Sequence, residues 1–290
     1  MRLAIFGESR LGVVNAAGTA LVDVTAAVPG HDPDPLTAGW WRALCRDFAA
    51  LRPALEAAAK EGPEIALDTV RLRPAVLGPS KVIAAACNYA DHVTEMHGVQ
   101  ERTLGKVEHW MMDFDVFLKA PSSLAGPADD VVLPPEEVAA GHEIHHESEL
   151  VVVVGTGGRD IPAETALDHV FGYTLGLDIT VRSQADRSRR KSYDTFSPIG
   201  PWLTTADETG DPAGLTIDLV LNGEDHRQHC DTADMLMPVP EVIAYASRIM
   251  TLHPGDVIFT GAPSGVGPIQ AGDLLDTRIS RLGGMTIRVR

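Results

Sequence analysis

The sequence predicts an α+β, strand-rich protein: a twisted mixed sheet folded on itself, preceded by a small N-terminal unit. Three observations carry this prediction. The last two-thirds of the chain holds many short apolar runs and few helices, which argues against a doubly wound sheet. At its centre lies Glu147-Ser-Glu-Leu-Val-Val-Val-Val-Gly155, whose uninterrupted β-branched run Val151–Val154 reads as a buried strand ended by glycine. Before residue 70 the pattern differs, with small strands, then helix, then a connection marked by Pro74, Gly78 and Pro79.

In order, Leu3–Phe6, Leu11–Val14 and Ala20–Val24 read as small antiparallel strands. Leu36–Lys60, rich in Ala, Leu and Arg and interrupted by Pro53, reads as one or two helices. Residues 1–70 form the small N-terminal domain of this reading and 71–290 the main one. Lys81–Ala86 is a strand, Asn88–Gly98 a helical turn or short helix, and Val116–Leu118 a second strand. Ala163–Val170 is a helix candidate that leads into a strand from Phe171. Residues 182–201 show neither period. Leu215–Leu221 is a strand, Asn222-Gly223 a hairpin turn, and Pro240–Met250 a helix with proline in its first turn. Beyond Gly255, Gly-Asp turns alternate with short strands.

The 290 residues are 44% hydrophobic and 22% charged, an ordinary globular composition. A formal net charge of -16 argues against a nucleic-acid surface and against anionic membranes. No stretch approaches a membrane span and no signal pattern opens the chain. The three cysteines, Cys45, Cys87 and Cys230, are odd in number and far apart. They suggest neither a disulfide framework nor a zinc knuckle, so the cytoplasm is the default compartment.

Glu147 and Glu149 occupy positions i and i+2 of the central strand and face the same way. Two carboxylates at the mouth of a buried sheet are either solvated or held by a bound cation, because unpaired like charges there are costly. Asp178 follows the apolar Tyr173–Leu177 at a strand end. Were it to meet the two glutamates, the all-oxygen set would suit Mg²⁺ or Mn²⁺. His92 and Glu95 are neighbours at helical spacing: either an exposed pair, or a general base oriented by a carboxylate. Arg182, Arg187, Arg189, Arg190 and Lys191 make a local basic patch, a solvated face or a receiver of an anionic substrate. His142-Glu-Ile-His-His146 spells a zinc-protease motif, but that motif works only on a helix and here a strand follows at once. Gly155-Thr-Gly-Gly158 reads as a tight turn rather than a phosphate loop.

Taken together, these residues resemble the fumarylacetoacetate hydrolase family over about residues 75–290. The ordered pieces are Lys81-Val-Ile and Cys87-Asn-Tyr-Ala-Asp-His-Val-Thr-Glu95, Val116–Ser122, Glu147-Ser-Glu149, Gly176–Thr180, Lys191–Trp202, Leu221-Asn-Gly-Glu224, Pro254–Gly261 and Gly265–Pro268. The resemblance implies a mixed β-sandwich roll with a small N-terminal domain, a homodimer and a Mg²⁺ or Mn²⁺ site on Glu147, Glu149 and Asp178. It implies His92 and Glu95 as the base pair, Lys191 as the stabiliser of negative charge, and Arg182, Gln184 and Tyr89 at the substrate, a small anionic 2-oxo or 2,4-dioxo acid.

The expected activity is metal-dependent hydrolysis of a carbon–carbon bond in an acylpyruvate-type 1,3-diketo acid. Decarboxylation or tautomerisation of related 2-oxo acids, hydrolysis of a diketo deoxy-sugar acid, and a catalytically silent metal-binding protein are the alternatives. Three departures from the family pattern surround the substrate pocket. Ala262 stands where a threonine is common, Gln184 lies one place nearer Arg182 than usual, and Cys87 replaces a small or aliphatic residue.

Overall fold

The computed structural model describes residues 1–37, 39–105 and 112–290. Its centre is the strand Ser148–Val154, buried along its whole length inside an 11-stranded mixed sheet. Side chains alternate across a strand, so this one serves two cores. Leu150, Val152 and Val154 join one apolar cluster, and Val151 and Val153 join another. The first cluster is closed by a four-stranded antiparallel sheet and by the helix Val239–Ile249, through Ile217, Leu219, Leu275, Val242 and Ile243. The second is closed by the helix Gly39–Glu61, through Trp40, Trp41, Leu44 and Leu55. The predicted strand-rich α+β class with a sheet folded on itself is the observed one.

From one edge, the large sheet runs Glu64–Ala66, Ala20–Asp23, Arg10–Val14, Arg2–Phe6, Ser197–Thr205, Val170–Leu177, Ser148–Val154, Val257–Phe259, Val82–Ala86 and Asp115–Lys119, and the eleventh strand, Leu124–Ala125, pairs in parallel with Ser197–Thr205. Most pairs are antiparallel, but Val257–Phe259 runs parallel to Val82–Ala86. The N-terminal strands continue this sheet, with Arg2 opposite Thr204 and Leu3 opposite Leu203. The helix Gly39–Glu61 contains Pro53 and is kinked at Asp47, whose φ of -103° and ψ of 16° leave the helical region.

Most element expectations are met, including the turn at Asn222-Gly223, where both residues have positive φ. The helix that begins at Ala90 runs on to Leu104, well past Gly98. Ala163–His169 is a 3₁₀ helix. The main surprise is Ser197–Thr205, a fully buried central strand in the stretch that showed no period. Pro198, Gly200 and Pro201 mask it, since proline gives up a ladder donor and is rare in strand interiors. His142–His146 is not helical either: Glu143–His146 is a strand of a small three-stranded sheet. That geometry excludes the zinc-protease arrangement.

Candidate active site

The strand Ser148–Val154, the strand Val170–Leu177 and the helix Ala90–Leu104 all end at one point. Pairing of Gly176 with Glu149 and Leu177 with Ser148 delivers Asp178 beside the two glutamates. The backbone N–H of Asp178 donates to the Glu147 carbonyl at 2.8 Å. Oxygen atoms of Glu147, Glu149 and Asp178 all lie within 4.8 Å of one another, and all three residues are buried. Three residues distant in sequence thus form one acidic cluster.

The cluster's cations come from three other segments. Lys191 Nζ bridges Glu147 Oε2 at 2.9 Å and Asp178 Oδ2 at 2.5 Å. Arg182 Nη2 donates to Glu147 Oε1 at 2.5 Å. Lys119 Nζ donates to Asp178 Oδ1 at 2.5 Å and to the Phe196 carbonyl at 2.8 Å. Among the described residues, Glu149 has no such cation; its Oε2 accepts from the Gly261 N–H at 2.6 Å. The consequence is a split between neighbours. Burial works against ionisation of Glu147, but Lys191 and Arg182 overcome it and hold the carboxyl well below its ordinary range. Burial, then Asp178 and Glu147, push Glu149 well above it. Glu149 is therefore the acid whose charge the protein alone leaves uncompensated. Three clustered carboxylates with one under-neutralised member are a hard, all-oxygen donor set that fits Mg²⁺ or Mn²⁺.

Beside the cluster, His92 Nδ1 lies 3.2 Å from Glu95 Oε2. The Gly265 N–H reaches both Glu95 oxygens, at 3.1 and 3.2 Å. Gly265 has a φ of +93°, and a Cβ there would lie 1.7 Å from the Arg227 carbonyl oxygen, so only glycine fits. Gly261, which serves Glu149, has a φ of +97°. Asn88 pins this loop: its Nδ2 donates to the Thr260 and Met237 carbonyls, and its Oδ1 accepts from the Met237 N–H.

His92, Glu147, Arg182 and Lys191 line one cavity of about 50 Å³, room for a few waters. Larger hollows, of about 670 and 850 Å³, lie elsewhere, against Trp202 and Leu67, and contain none of these groups. Chemistry therefore identifies the site and size does not.

Two residues expected at the substrate do not line this cavity. Tyr89 is enclosed in the first core, where burial pushes its phenol far up. Gln184 is exposed on the turn before the short helix Arg187–Arg190. Lys119 was missed as a site residue. Its signal was a lysine closing the strand Asp115–Lys119, whose burial is tolerable only where a carboxylate offsets the lost hydration. Arg187, Arg190, Phe117 and Ala262 also line the cavity. Ala262 has no hydroxyl to offer there.

The neighbouring histidines stay outside this chemistry. His142 Nδ1 lies 2.6 Å from Glu137, and His145 Nε2 lies 2.8 Å from Glu143. Burial pushes His145 and His146 down to about 4, so both rings are neutral at pH 7.

Comparison with known proteins agrees with this geometry. Residues 81–290 match the model of the fumarylacetoacetate hydrolase C-terminal domain. The chain is 39% identical to a maleylpyruvate hydrolase of Aquipseudomonas alcaligenes, over 100% of this chain and 99% of that protein. It is 35% identical to a 2,4-didehydro-3-deoxy-L-rhamnonate hydrolase of a Sphingomonas species, over 96% of this chain and 90% of that one. The crystal structure of maleylpyruvate hydrolase from Sphingobium sp. SYK-6, in complex with manganese(II) and pyruvate, superposes with a TM-score of 0.85. That match has 42% identity and covers 100% of this chain and 98% of the other. With its acidic cluster, its His–Glu pair and these matches, the chain belongs to the fumarylacetoacetate hydrolase family.

Proposed function

We propose that the protein is a divalent-metal-dependent hydrolase that cleaves a carbon–carbon bond of an acylpyruvate-type 1,3-diketo acid, giving pyruvate or a related 2-oxo acid and a second acid. The observation that carries this reading is a three-carboxylate cluster that reaches, through Glu147, a cavity also lined by a buried lysine and by the histidine of a His–Glu pair. Similarity along the whole chain to hydrolases of this type supports it.

Glu147, Glu149 and Asp178 would hold Mg²⁺ or Mn²⁺. Bound there, the ion supplies Lewis acidity toward the oxygens of the 2-oxo acid. The remaining roles fall to side chains. Glu95, fixed by the Gly265 N–H, holds the His92 Nδ1 proton, which leaves Nε2 free to accept one. His92 Nε2 removes a proton from water as the water oxygen bonds to the distal carbonyl carbon. The resulting tetrahedral adduct collapses: the bond to the pyruvate methylene breaks, its electron pair becomes the enolate, and the second acid leaves. Lys191 stabilises the developing negative charge. The enolate carbon takes back the proton from His92, which regenerates the base.

The same reading makes the protein a homodimer of the reducing cytoplasm, with residues 1–70 as a small N-terminal domain and 71–290 as the catalytic one. Family resemblance supports the first, and the absence of a disulfide among the described residues supports the second. The start of the family match at residue 81 supports the third. Among the described residues, no helix is long and apolar enough to cross a membrane.

The test is turnover of a panel of 2,4-dioxo acids with Mg²⁺ or Mn²⁺, scored by release of pyruvate. Replacing His92 by alanine should lower kcat by about 10²–10⁴-fold with the metal still bound. Full activity in that variant, or release of CO₂ in place of a second acid, would remove the proposed roles.

A further inference from the structure

The first histidine of His142-Glu-Ile-His-His146 meets a carboxylate that hydrophobic burial does not explain. The short helix Pro135–Ala139 turns Glu137 inward, to 5% exposure, and leaves its neighbour Val138 outside at 52%. Burial of apolar surface alone would choose the reverse. Hydrogen bonds hold the carboxylate in. Tyr193 Oη donates to Glu137 Oε1, and His142 Nδ1 lies 2.6 Å from Oε2. Arg189, 68% exposed, adds a 3.5 Å contact to Oε1. The hydrogen bond from Tyr193 is the main cause that holds the Glu137 carboxyl below its ordinary range. Burial, with Glu137, pushes the Tyr193 phenol up. At pH 7 Glu137 is therefore an ionised acceptor and Tyr193 a protonated donor.

The two donors stand on the two chain segments that the active site must bring together. His142 opens the segment that runs through the strand Glu143–His146 into Glu147. Tyr193 lies two positions after Lys191, on the irregular stretch between the helix Arg187–Arg190 and the strand Ser197–Thr205. Ser192 and Thr195 fasten that stretch elsewhere: their hydroxyls accept from the N–H groups of Ala120 and Val132, at 2.8 and 2.9 Å. Glu137 joins it to the approach to Glu147. Behind the cavity, this carboxylate spans the same two segments that Lys191 Nζ and Glu147 Oε2 span inside it, at 2.9 Å. Charge attracts a lysine on its flexible stem but does not aim it; a fixed backbone at its root limits where the ammonium can sit.

Building on the hydrolase reading, we propose that Glu137 is a positioning residue: with Tyr193 and His142 it braces the backbone of Lys191 against the segment that carries Glu147, and so fixes the Lys191 ammonium where negative charge develops on the enolate. None of the three is among the described residues that line the cavity, so the brace acts through Lys191 and touches no substrate. Its effect falls on the transition state, because a charge displaced slightly from where the opposite charge develops loses rate steeply.

The experiment uses the full-length Mn²⁺-loaded protein and two readouts. Kinetics follows pyruvate release from 2,4-dioxopentanoate. Calorimetry measures binding of oxalate, a planar dianion with the shape and charge of the pyruvate enolate. Glu137→Leu and Tyr193→Phe should each lower kcat about tenfold or more, change KM by less than about twofold, and weaken oxalate by a factor like that on kcat. Glu137→Gln, which can still accept from Tyr193 and donate to His142, should keep most of the wild-type kcat. In a Lys191→Met background, Glu137→Leu should weaken oxalate no further. A merely structural carboxylate would erode oxalate binding in both backgrounds, and that result overturns the brace. Turnover of 2,4-dioxopentanoate with kcat unchanged in Glu137→Leu and Tyr193→Phe would remove the brace and leave the hydrolase reading. Oxalate binding that falls alike in Lys191→Met and Glu137→Leu, without turnover of this or any other 2,4-dioxo acid by the wild type, would remove the hydrolase reading and leave the brace.

Discussion

The cavity has two walls built in opposite ways. The acidic wall stands on the ends of central strands, and each of its oxygens is placed by the sheet: Glu149 by pairing with Gly176, Asp178 by its N–H on the Glu147 carbonyl. The basic wall stands on an irregular segment and a four-residue helix, with Arg187 resting over the Phe117 ring and the buried Nε of Arg190 without a partner among the described residues. A sheet end is rigid and positions groups that must meet to within tenths of an ångström, as cation ligands must. A loop tolerates replacement without disturbing the core, which suits groups that choose among substrates. The difference teaches that the tightly paired charges stand on sheet ends while the loosely held ones stand on a short helix.

The comparison can be broken most sharply at the acidic wall. Stripping divalent ions with a chelator should lower activity by about 10³-fold or more, with recovery on adding Mg²⁺ or Mn²⁺, since Lewis acidity supplies several kcal/mol of charge stabilisation. Activity that survives exhaustive chelation, checked by metal analysis of the same sample, would leave the acidic wall without its assigned purpose.

A second test sets the walls against each other in stability. Lys119 is fully enclosed and its ammonium is pulled down by burial, with Asp178 working to hold its charge. Lys119→Met removes one partner of a buried pair and should cost about 3 kcal/mol in urea unfolding. Arg187→Met and Arg190→Met remove neighbouring like charges whose contacts are a ring stack on Phe117 and one long bond to the Ser183 carbonyl, and each should change stability by less than about 0.5 kcal/mol. A large loss from either arginine variant would show that the basic wall is structural and would erase the contrast.

The same contrast explains what could be read from the chain beforehand. Val151–Val154 announced the central strand because a β-branched run buried on both faces has few other homes. Asn222-Gly223 announced its turn because both positions require positive φ, which these two residues tolerate. Glu147 and Glu149 were legible as a pair because they share one strand. Lys119 was not, because its partner Asp178 is 59 positions away and only tertiary pairing reveals that the lysine is buried. The backbone donors Gly261 and Gly265 were equally silent, since a glycine-rich loop carries no mark of which carboxylate it serves. Ser197–Thr205 was hidden by its prolines, whose missing donors a central strand normally excludes. Arg187 and Arg190 were visible as basic residues, but their direction was not: the turn that aims them inward also aims Gln184 outward.

The smallest effect tests the join between the base and the acidic wall. Arg102, near the end of the helix that carries His92, pairs with Glu143 on the strand leading into Glu147. The hydrogen bond from Arg102 is the main cause that pulls Glu143 down to about 2. A depressed carboxylate stabilises the fold above its ordinary range, and that contribution fades as pH falls through about 4.5 toward 2. Arg102 is 56% exposed and Glu143 32%, so solvent screening limits the pair to about 0.5 kcal/mol. Arg102→Ala should therefore unfold at slightly lower urea than the wild type at pH 7, and the gap should narrow as pH falls below 4. A gap that stays constant with pH would mean that the arginine acts through its apolar stem, and that the helix is held to the strand by packing rather than by this charge.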